Sequence, residues 1–429
     1  MIANQRTRIH GAMIEAVSRN GYEGTSVKQV IALAGVSRRS FYEQFDNKQS
    51  CFLATFDVIA KSELEKARRR YLESAGTPPA RLRAILERYK QMTAEDCKAS
   101  VLAVLETQTA GVSGMQRLLA AIGACEQMIA QGFAQAPGMV SLPAPIVRAI
   151  AGGMHGIASA FLRDTPASRG LDVTEELEAW TLLFQAPAAE RMAECMAAAL
   201  SVRLREIASA CGHGHAGAEA ASRDERARLM HAVLRLATRE EYRTVSAPQI
   251  ADEANVSIEV FWQLFVGKDE CYLAALDDVA GELLAVAAES GPATEDWPHA
   301  VRRVLAELMR HLAERPLHTR TLAQEAFFAG AEAVERVREL SLSIATLLTE
   351  GAPTEAASPL ATEAIASAIW HTMRCQVAAG RVQLLAALSE HLAYIVLAPY
   401  IGAQAAAEIL AESLSDRDGA GGTAVQRGT

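Results

Sequence analysis

The chain has 429 residues, 51 acidic against 42 basic side chains, a net charge of −9, and a composition that is 50% hydrophobic, 22% charged and 5% aromatic. This length suits two to four domains of roughly 100–200 residues, and the composition excludes a disordered, collagen-like or disulfide-scaffold protein. The negative balance argues against non-specific coating of nucleic acid but leaves room for one small basic surface. The seven cysteines are scattered without CxxC pairs or zinc spacing, which fits a reducing compartment. The start, MIANQRTRIHG, leads into no apolar run of the secretory kind. The uncharged apolar stretch Leu392 to Ala407 is too short for a span and holds Pro399 and Gln404, so it reads as a buried core helix. A cytoplasmic protein with no membrane partner and no cofactor is expected.

In chain order, the first apolar stripe, Ile9, Met13, Ala16 and Val17, has helical spacing. Ser26-Val27-Lys28-Gln29 then carries the spacing of a capping box, so a short helix is predicted to begin there, burying Val27, Val30 and Ile31. Ala34-Gly35-Val36-Ser37 supplies a tight turn, Gly35 taking the left-handed conformation and Ser37 capping the next helix, Arg38 to Gln44. That helix places Phe41 and Phe45 inward and turns Arg38, Arg39, Ser40 and Tyr42 outward. A longer helix, a short one, a tight turn and a second short one make a helix-turn-helix arrangement. The outward arginines suit guanine edges or phosphates, the tyrosine hydroxyl suits phosphate, and Lys48 opens the following helix, where free amides favour an anion. Helix-sized segments follow, broken at Gly76 to Pro79, Pro137 to Pro145, Thr165 to Gly170, Gly291 to Pro298 and Gly351 to Pro359; no window alternates as a strand would.

The chain also repeats itself. Residues 35–53, GVSRRSFYEQFDNKQSCFL, align without a gap on 255–273, NVSIEVFWQLFVGKDECYL, at an offset of 220 that also carries Arg6, Arg8, Ala12, Arg19, Tyr22, Ser26, Gln29 and Ala34 onto identical residues. Fainter echoes pair Glu106–Gly111 with Glu325–Gly330, Ala149 onward with Ala364 onward, and Ala186-Pro187 with Ala398-Pro399. A tandem duplication is therefore expected, copy one near 1–208 and copy two near 223–412. Copy two keeps the caps and puts Asn255 where Gly35 stood, but Arg38, Arg39, Ser40 and Tyr42 become Ile258, Glu259, Val260 and Trp262. Residues 1–50 hold seven basic and four acidic side chains, net +3; residues 221–270 hold seven and nine, net −2. Phosphate contacts need positive charge, so the second head is expected to be a weak DNA binder or none.

Through Tyr22, Thr25, Ser26 and the run AGVSRRSFYEQFDNKQSCF, the chain resembles the TetR family of bacterial transcriptional regulators. The resemblance covers about the first 60 residues and, more weakly, 226–285. It implies an all-α fold of two TetR-like units, each a three-helix DNA-binding head on a helical ligand-binding and dimerisation body. The expected boundaries are 1–50 for the head, 51–208 for the first body, 209–222 for a linker, 223–270 for a degenerate second head, 271–412 for the second body and 413–429 for a disordered tail. Carried over by resemblance, Thr25, Ser26, Arg38, Arg39, Ser40, Tyr42 and Lys48 are the contacts to a double-stranded DNA operator. An unidentified small-molecule effector would enter the bodies, with Met154, His155, Trp180 and Phe184 in the first and Trp370, His371, Met373 and Tyr394 in the second as lining residues. The function so implied is a ligand-responsive repressor whose first head reads DNA. Its second copy would serve as partner in an intrachain pseudo-dimer, further homodimerisation being left open.

The other classes have less behind them. No glycine-rich phosphate loop, GxSxG or HExxH marks an enzyme. A ligand- or protein-binding helical adaptor remains the alternative, with Arg38 and Arg39 against it. Gly212-His213-Gly214-His215 beside Cys211 lacks further ligands, so no metal is expected; the recurring Cys51 and Cys271 sit at core spacing and read as packed thiols.

Overall fold

The structure, a computed structural model, describes residues 2–74, 80, 83–84, 86–87, 90–91, 95–134, 139–210, 224–240, 242–290, 296–353 and 357–424. The Cys211 and His213/His215 motif and most of the expected linker lie outside the described residues. The protein is 84% helical and all-α, with no strand among the described residues. Its contacts divide it into two compact units, Met1–Pro137 with Met154–Leu182, and Gly138–Gly153 with Leu183–Thr429. These boundaries differ from a split near residue 208, because part of the first-copy sequence packs inside the second unit.

In the first unit, α1 (Ile2–Gly24) buries the stripe Ile9, Met13, Ala16 and Val17. Gly21, at φ 67°, interrupts its last turn. Ser26 opens α2 (Val27–Ala34): the Gln29 amide donates to Ser26 Oγ at 3.3 Å and the Ser26 amide to Gln29 Oε1 at 2.7 Å. Each bond satisfies an amide that the helix start leaves free. Gly35 ends α2 in the left-handed region, φ 59° and ψ 42°, its amide donating to Ala32 O at 3.3 Å. Ser37 caps the five-residue α3 (Arg38–Tyr42) by accepting from the Ser40 amide at 3.0 Å. Phe41 at 0% and Phe45 at 5% exposure anchor this short helix onto α1 and α4 (Lys48–Glu73). Burial of that kind contributes roughly 1.5–3 kcal/mol per side chain, which a helix of one and a half turns needs in order to persist.

Beyond the head come α5 (Cys97–Ser100), a π-helical stretch Val101–Glu106, a 3₁₀ turn Thr107–Thr109, and α6 (Gly111–Ala134). Then come α7 (Ala144–Leu162), α8 (Val173–Leu183) and α9 (Ala188–Ala210).

The second unit repeats the head's devices. It contains α10 (Glu225–Arg239), a 3₁₀ turn Tyr242–Thr244, α11 (Ala247–Ala254), α12 (Ile258–Leu264) and α13 (Lys268–Glu289). Ser246 and Gln249 form the same capping box, and Asn255 takes the left-handed conformation at φ 51°. A lysine at the start of the fourth helix reaches back to the end of the first helical segment in both heads. Lys48 Nζ donates to Tyr22 O at 2.9 Å and lies 4.2 Å from the Tyr22 ring centre. Lys268 Nζ donates to Tyr242 O, Arg243 O and Val245 O at 3.0, 3.0 and 2.8 Å.

The remainder of the unit is α14 (Trp297–Glu314), α15 (Pro316–Ala323), a 3₁₀ turn Glu325–Phe328, α16 (Ala331–Thr349), α17 (Ala361–Ala378), a 3₁₀ segment Val382–Leu388, α18 (Ser389–Ile401) and α19 (Ala403–Ala424). Gly402, at φ 81°, splits the apolar stretch Leu392 to Ala407 between α18 and α19, so it is two helices where one was expected. α19 also runs past residue 412, the expected end of the second body. Ala144–Leu162 and Val382–Ile401 are long and apolar enough to cross a membrane by length and composition, yet 61% of each apolar window is buried inside the protein. α9 lies along α19, and α7 approaches α17 so closely that a Cβ on Gly152 would stand 2.7 Å from His371 Cβ and 3.1 Å from Ala368 Cα. Arg302 of α14 grips Glu390 of α18 with two bonds, Nε to Oε2 at 2.9 Å and Nη2 to Oε1 at 3.0 Å, in a nearly closed setting.

Two outcomes are expected. Lys48→Met and Lys268→Met each lower the melting temperature, since the carbonyls they satisfy lose a charged donor, a loss of about 1–3 kcal/mol; unchanged melting in thermal denaturation would deny the lysines this role. Arg302→Met removes two charged bonds from the part-buried Glu390 carboxylate and costs about 1–3 kcal/mol, while Arg302→Met with Glu390→Met recovers most of it; equal melting of the single and double variants would contradict the pairing.

Candidate nucleic-acid interface

In the first head the caps and the left-handed turn fix α3 with one side in the core and the other in solvent. Arg38, Arg39 and Tyr42 all stand on the exposed side. Arg38 lies over the Tyr42 ring, 5.6 Å from guanidinium carbon to ring centre. Arg39 donates through Nε to Glu43 Oε1 at 2.9 Å, with its side chain 89% exposed. An ion pair so open to water holds its partners weakly, so the guanidinium is available to a competing phosphate at little cost. Lys28, on the exposed side of α2 near Ser26, adds a cation that is not among the expected contacts.

The other expected contacts are used differently. Ser40 is half-buried, its hydroxyl 3.0 Å from Ser37 Oγ. Ser26 is exposed but engaged with Gln29. Thr25 is 3% exposed and its hydroxyl donates to Gly21 O at 2.7 Å, so its side chain shapes the entry to α2 and does not face outward. Lys48, expected to meet an anion at the helix start, directs its ammonium inward to the carbonyls of Tyr22 and Glu23. The reason in both cases is the break at Gly21, which leaves carbonyls that need donors.

On the same scaffold the second head presents Glu259, Trp262 (55% exposed) and Val266 (88% exposed), with Ile258 and Val260 half-buried. The Glu259 carboxyl is held below the usual range by its own backbone amide and the Ser257 hydroxyl, so it stays charged. This face is acidic and apolar where the first is basic.

Within the first unit, two bonds that the sequence does not reveal tie the head to the helices after it. The Tyr22 amide donates to Glu106 Oε2 at 2.8 Å, and Gln49 Nε2 donates to Ala110 O at 2.7 Å. The recurrence of Glu106 at Glu325 is the one signal the sequence offers, and it does not identify a partner 84 residues away.

The residues expected to line an effector cavity fall in two groups. Met154, His155 and Trp180 belong to the first unit; Trp180 is buried and the other two are half-buried. Phe184, Trp370, His371, Met373 and Tyr394 belong to the second and are all buried. Tyr394 donates its hydroxyl to Phe184 O at 2.8 Å and the two rings stand 5.7 Å apart, a packed contact and not an open lining. His371 faces Gly152, with Nε2 3.6 Å from Cys375 Sγ. Cys51 and Cys271 are fully buried, and burial pushes each thiol up to about 12, which keeps them protonated.

Residues 12–55 match the model of the family described as "Bacterial regulatory proteins, tetR family". No curated protein matches the chain. Among solved structures, the transcriptional regulator FadR from Bacillus subtilis in complex with stearoyl-CoA is similar at 17% identity, over 41% of this chain and 96% of that one, with a TM-score of 0.36. The fatty acid degradation regulator FadR from Bacillus halodurans is similar at 17% identity, over 42% and 93%, also with a TM-score of 0.36. The geometry of α1 to α4 and the match over 12–55 agree: this segment is a tetR-family helix-turn-helix domain.

Proposed function

We propose that the chain is a TetR-like transcriptional regulator of the cytoplasm, a ligand-responsive repressor whose first head reads a double-stranded operator while the second copy is chiefly its structural partner. The observation that carries this reading is the contrast of two like scaffolds. Arg38, Arg39 and Tyr42 stand exposed on the first, and Glu259, Trp262 and Val266 on the second. Displacing counterions from DNA needs cations, and only the first face supplies them. A bidentate arginine on a guanine edge gives base discrimination that a lysine or a hydroxyl cannot match.

A tandem duplication accounts for the recurrence of the capping box, the left-handed turn and the lysine that satisfies carbonyls in both heads. The intrachain pseudo-dimer is supported by α9 lying along α19 and by the close approach of Gly152 to α17, since these are the late helices of the two copies.

Two measurements test this. In anisotropy titrations against DNA flanking its own gene, Arg38→Ala/Arg39→Ala weakens binding at least tenfold and flattens the salt dependence by about one to two phosphate contacts, while Glu259→Ala changes affinity less than twofold. An unaltered affinity in the arginine variant removes the first head as the reader. Gly152→Leu, which forces atoms into His371 and Ala368, lowers stability by about 1–3 kcal/mol in thermal denaturation; a neutral result removes the support that this contact gives the pseudo-dimer.

A further inference from the structure

The second head exposes a face for which neither its own packing nor DNA has a use. Glu259 and Trp262 stand three residues apart on α12, which makes them neighbours on one side of that helix, and Val266 follows just beyond its end. All three are exposed, while Phe261 and Phe265 hold the opposite side in the core. Ile258, one turn before Trp262, is half-buried and extends the apolar strip. Asp252, on α11, is exposed as well. At the offset of 220 the first head has Arg39, Tyr42 and Asp46 in place of Glu259, Trp262 and Val266, and Ala32 in place of Asp252. An indole and a valine left in water beside each other gain free energy when something covers them.

The chemistry of the face selects what can cover it. A carboxylate one turn from an indole suits a guanidinium, because the carboxylate accepts two parallel N–H bonds while the ring face attracts the planar cation. The Glu259 carboxyl stays charged, held low by its own backbone amide and by the Ser257 hydroxyl. The chain itself carries a face of the matching kind. On the first head Arg38, Arg39 and Tyr42 are exposed on α3, with Lys28 exposed on α2 before it. Arg39 is held only by the open pair with Glu43, so exchanging that carboxylate for another costs little. The opposed signs, net +3 over residues 1–50 and −2 over residues 221–270, draw the two kinds of head together.

We propose that the second head is a docking face for another copy of this chain: α12 of one copy, through Glu259, Trp262 and Val266, seats on α3 of a second copy at Arg38, Arg39 and Tyr42. Each copy carries one face of each kind, so the contact joins unlike surfaces and a pair of copies has two such contacts to make. Two short helices bury little area, which puts the contact at the weak and transient end of protein interfaces. The contact stands on the two faces alone. Its consequence rests on the regulator reading: docking covers the arginines that read the operator, so accumulation of the protein withdraws first heads from DNA. The test uses no DNA, so failure of operator binding and failure of this contact are separate results.

Sedimentation velocity of the full chain is followed from about 1 to 200 µM, the range of weak interfaces, at low and at high salt. The mass is expected to rise with concentration at low salt and to fall back at high salt, where exposed charges are screened. Glu259→Arg and Arg38→Glu/Arg39→Glu each weaken this association about tenfold or more, because like charges then face each other. An equimolar mixture of the two restores it, since the first variant keeps a native α3 and the second a native α12. Trp262→Ala weakens it about fivefold to tenfold. These positions are exposed, so each variant alone is expected to keep its stability within about 0.5 kcal/mol of wild type in thermal denaturation. The proposal is overturned if the wild-type mass does not change with concentration, or if association ignores both salt and the substitutions, which would place the interface elsewhere. It is equally overturned if each variant loses association and their mixture does not regain it.

Discussion

Both heads depend on how a helix end is satisfied. Where the first helical segment stops before the Ser26 or Ser246 cap, carbonyls lose their intrahelical donors in a half-buried place, and a lysine 26 residues further on supplies them. Because Lys48 and Lys268 each open the fourth helix, this bond ties the end of the first segment to the start of the fourth. The space in which the two short helices pack is fixed by that tie. α3 has only five residues and no stability of its own; its direction is set by Gly35 behind it, Ser37 at its start and the Phe41–Phe45 pair beneath it, rings 5.7 Å apart. The matching pair in the second head, Phe261 and Phe265, stands at 5.8 Å.

On such a scaffold the outward residues can change without disturbing the fold, which explains why Arg38 and Arg39 can give way to Ile258 and Glu259 while the Ser246 capping box, the left-handed Asn255 and the Ser257 cap are retained. The inward residues cannot. Arg6 covers the Phe45 ring at 4.9 Å and Arg226 covers Phe265 at 4.6 Å, so these cations serve the heads themselves and belong to both. Charge counted over a whole head therefore overstates the charge on its outer face, where α3 presents Arg38 and Arg39.

The parts of the heads that are legible in the amino-acid sequence are those governed by local rules. A serine with glutamine three residues on, a glycine or asparagine where φ must be positive, and two aromatics one turn apart each act over a few residues, so their signal is direct. The inward turn of Lys48 is not legible, because its partner is a carbonyl brought near only by the tertiary fold. That of Thr25 is hidden in the break at Gly21, which gives its hydroxyl an acceptor inside. The contact between two of the expected lining residues is hidden for a related reason: apolar spacing says that Phe184 and Tyr394 are inside, but not that they are bonded to each other across 210 residues. Gly402 shows the reverse case, a positive φ inside an apolar run that periodicity alone passes over.

The pseudo-dimer proposed above would escape a restriction that binds a homodimer. In a two-fold interface every contact is made twice, so a residue must suit both its own role and its image's. Here Gly152 aligns with Ser367, yet only at Gly152 would a Cβ stand 2.7 Å from His371 Cβ, so a glycine is demanded on only one side. Likewise, Arg374 need not appear in the first copy, whose aligned residue is Ser159. A buried cation is costly to stability, and keeping it once halves that cost. Cations stand outside on the first head and inside the second unit, an asymmetry that strict two-fold symmetry would forbid.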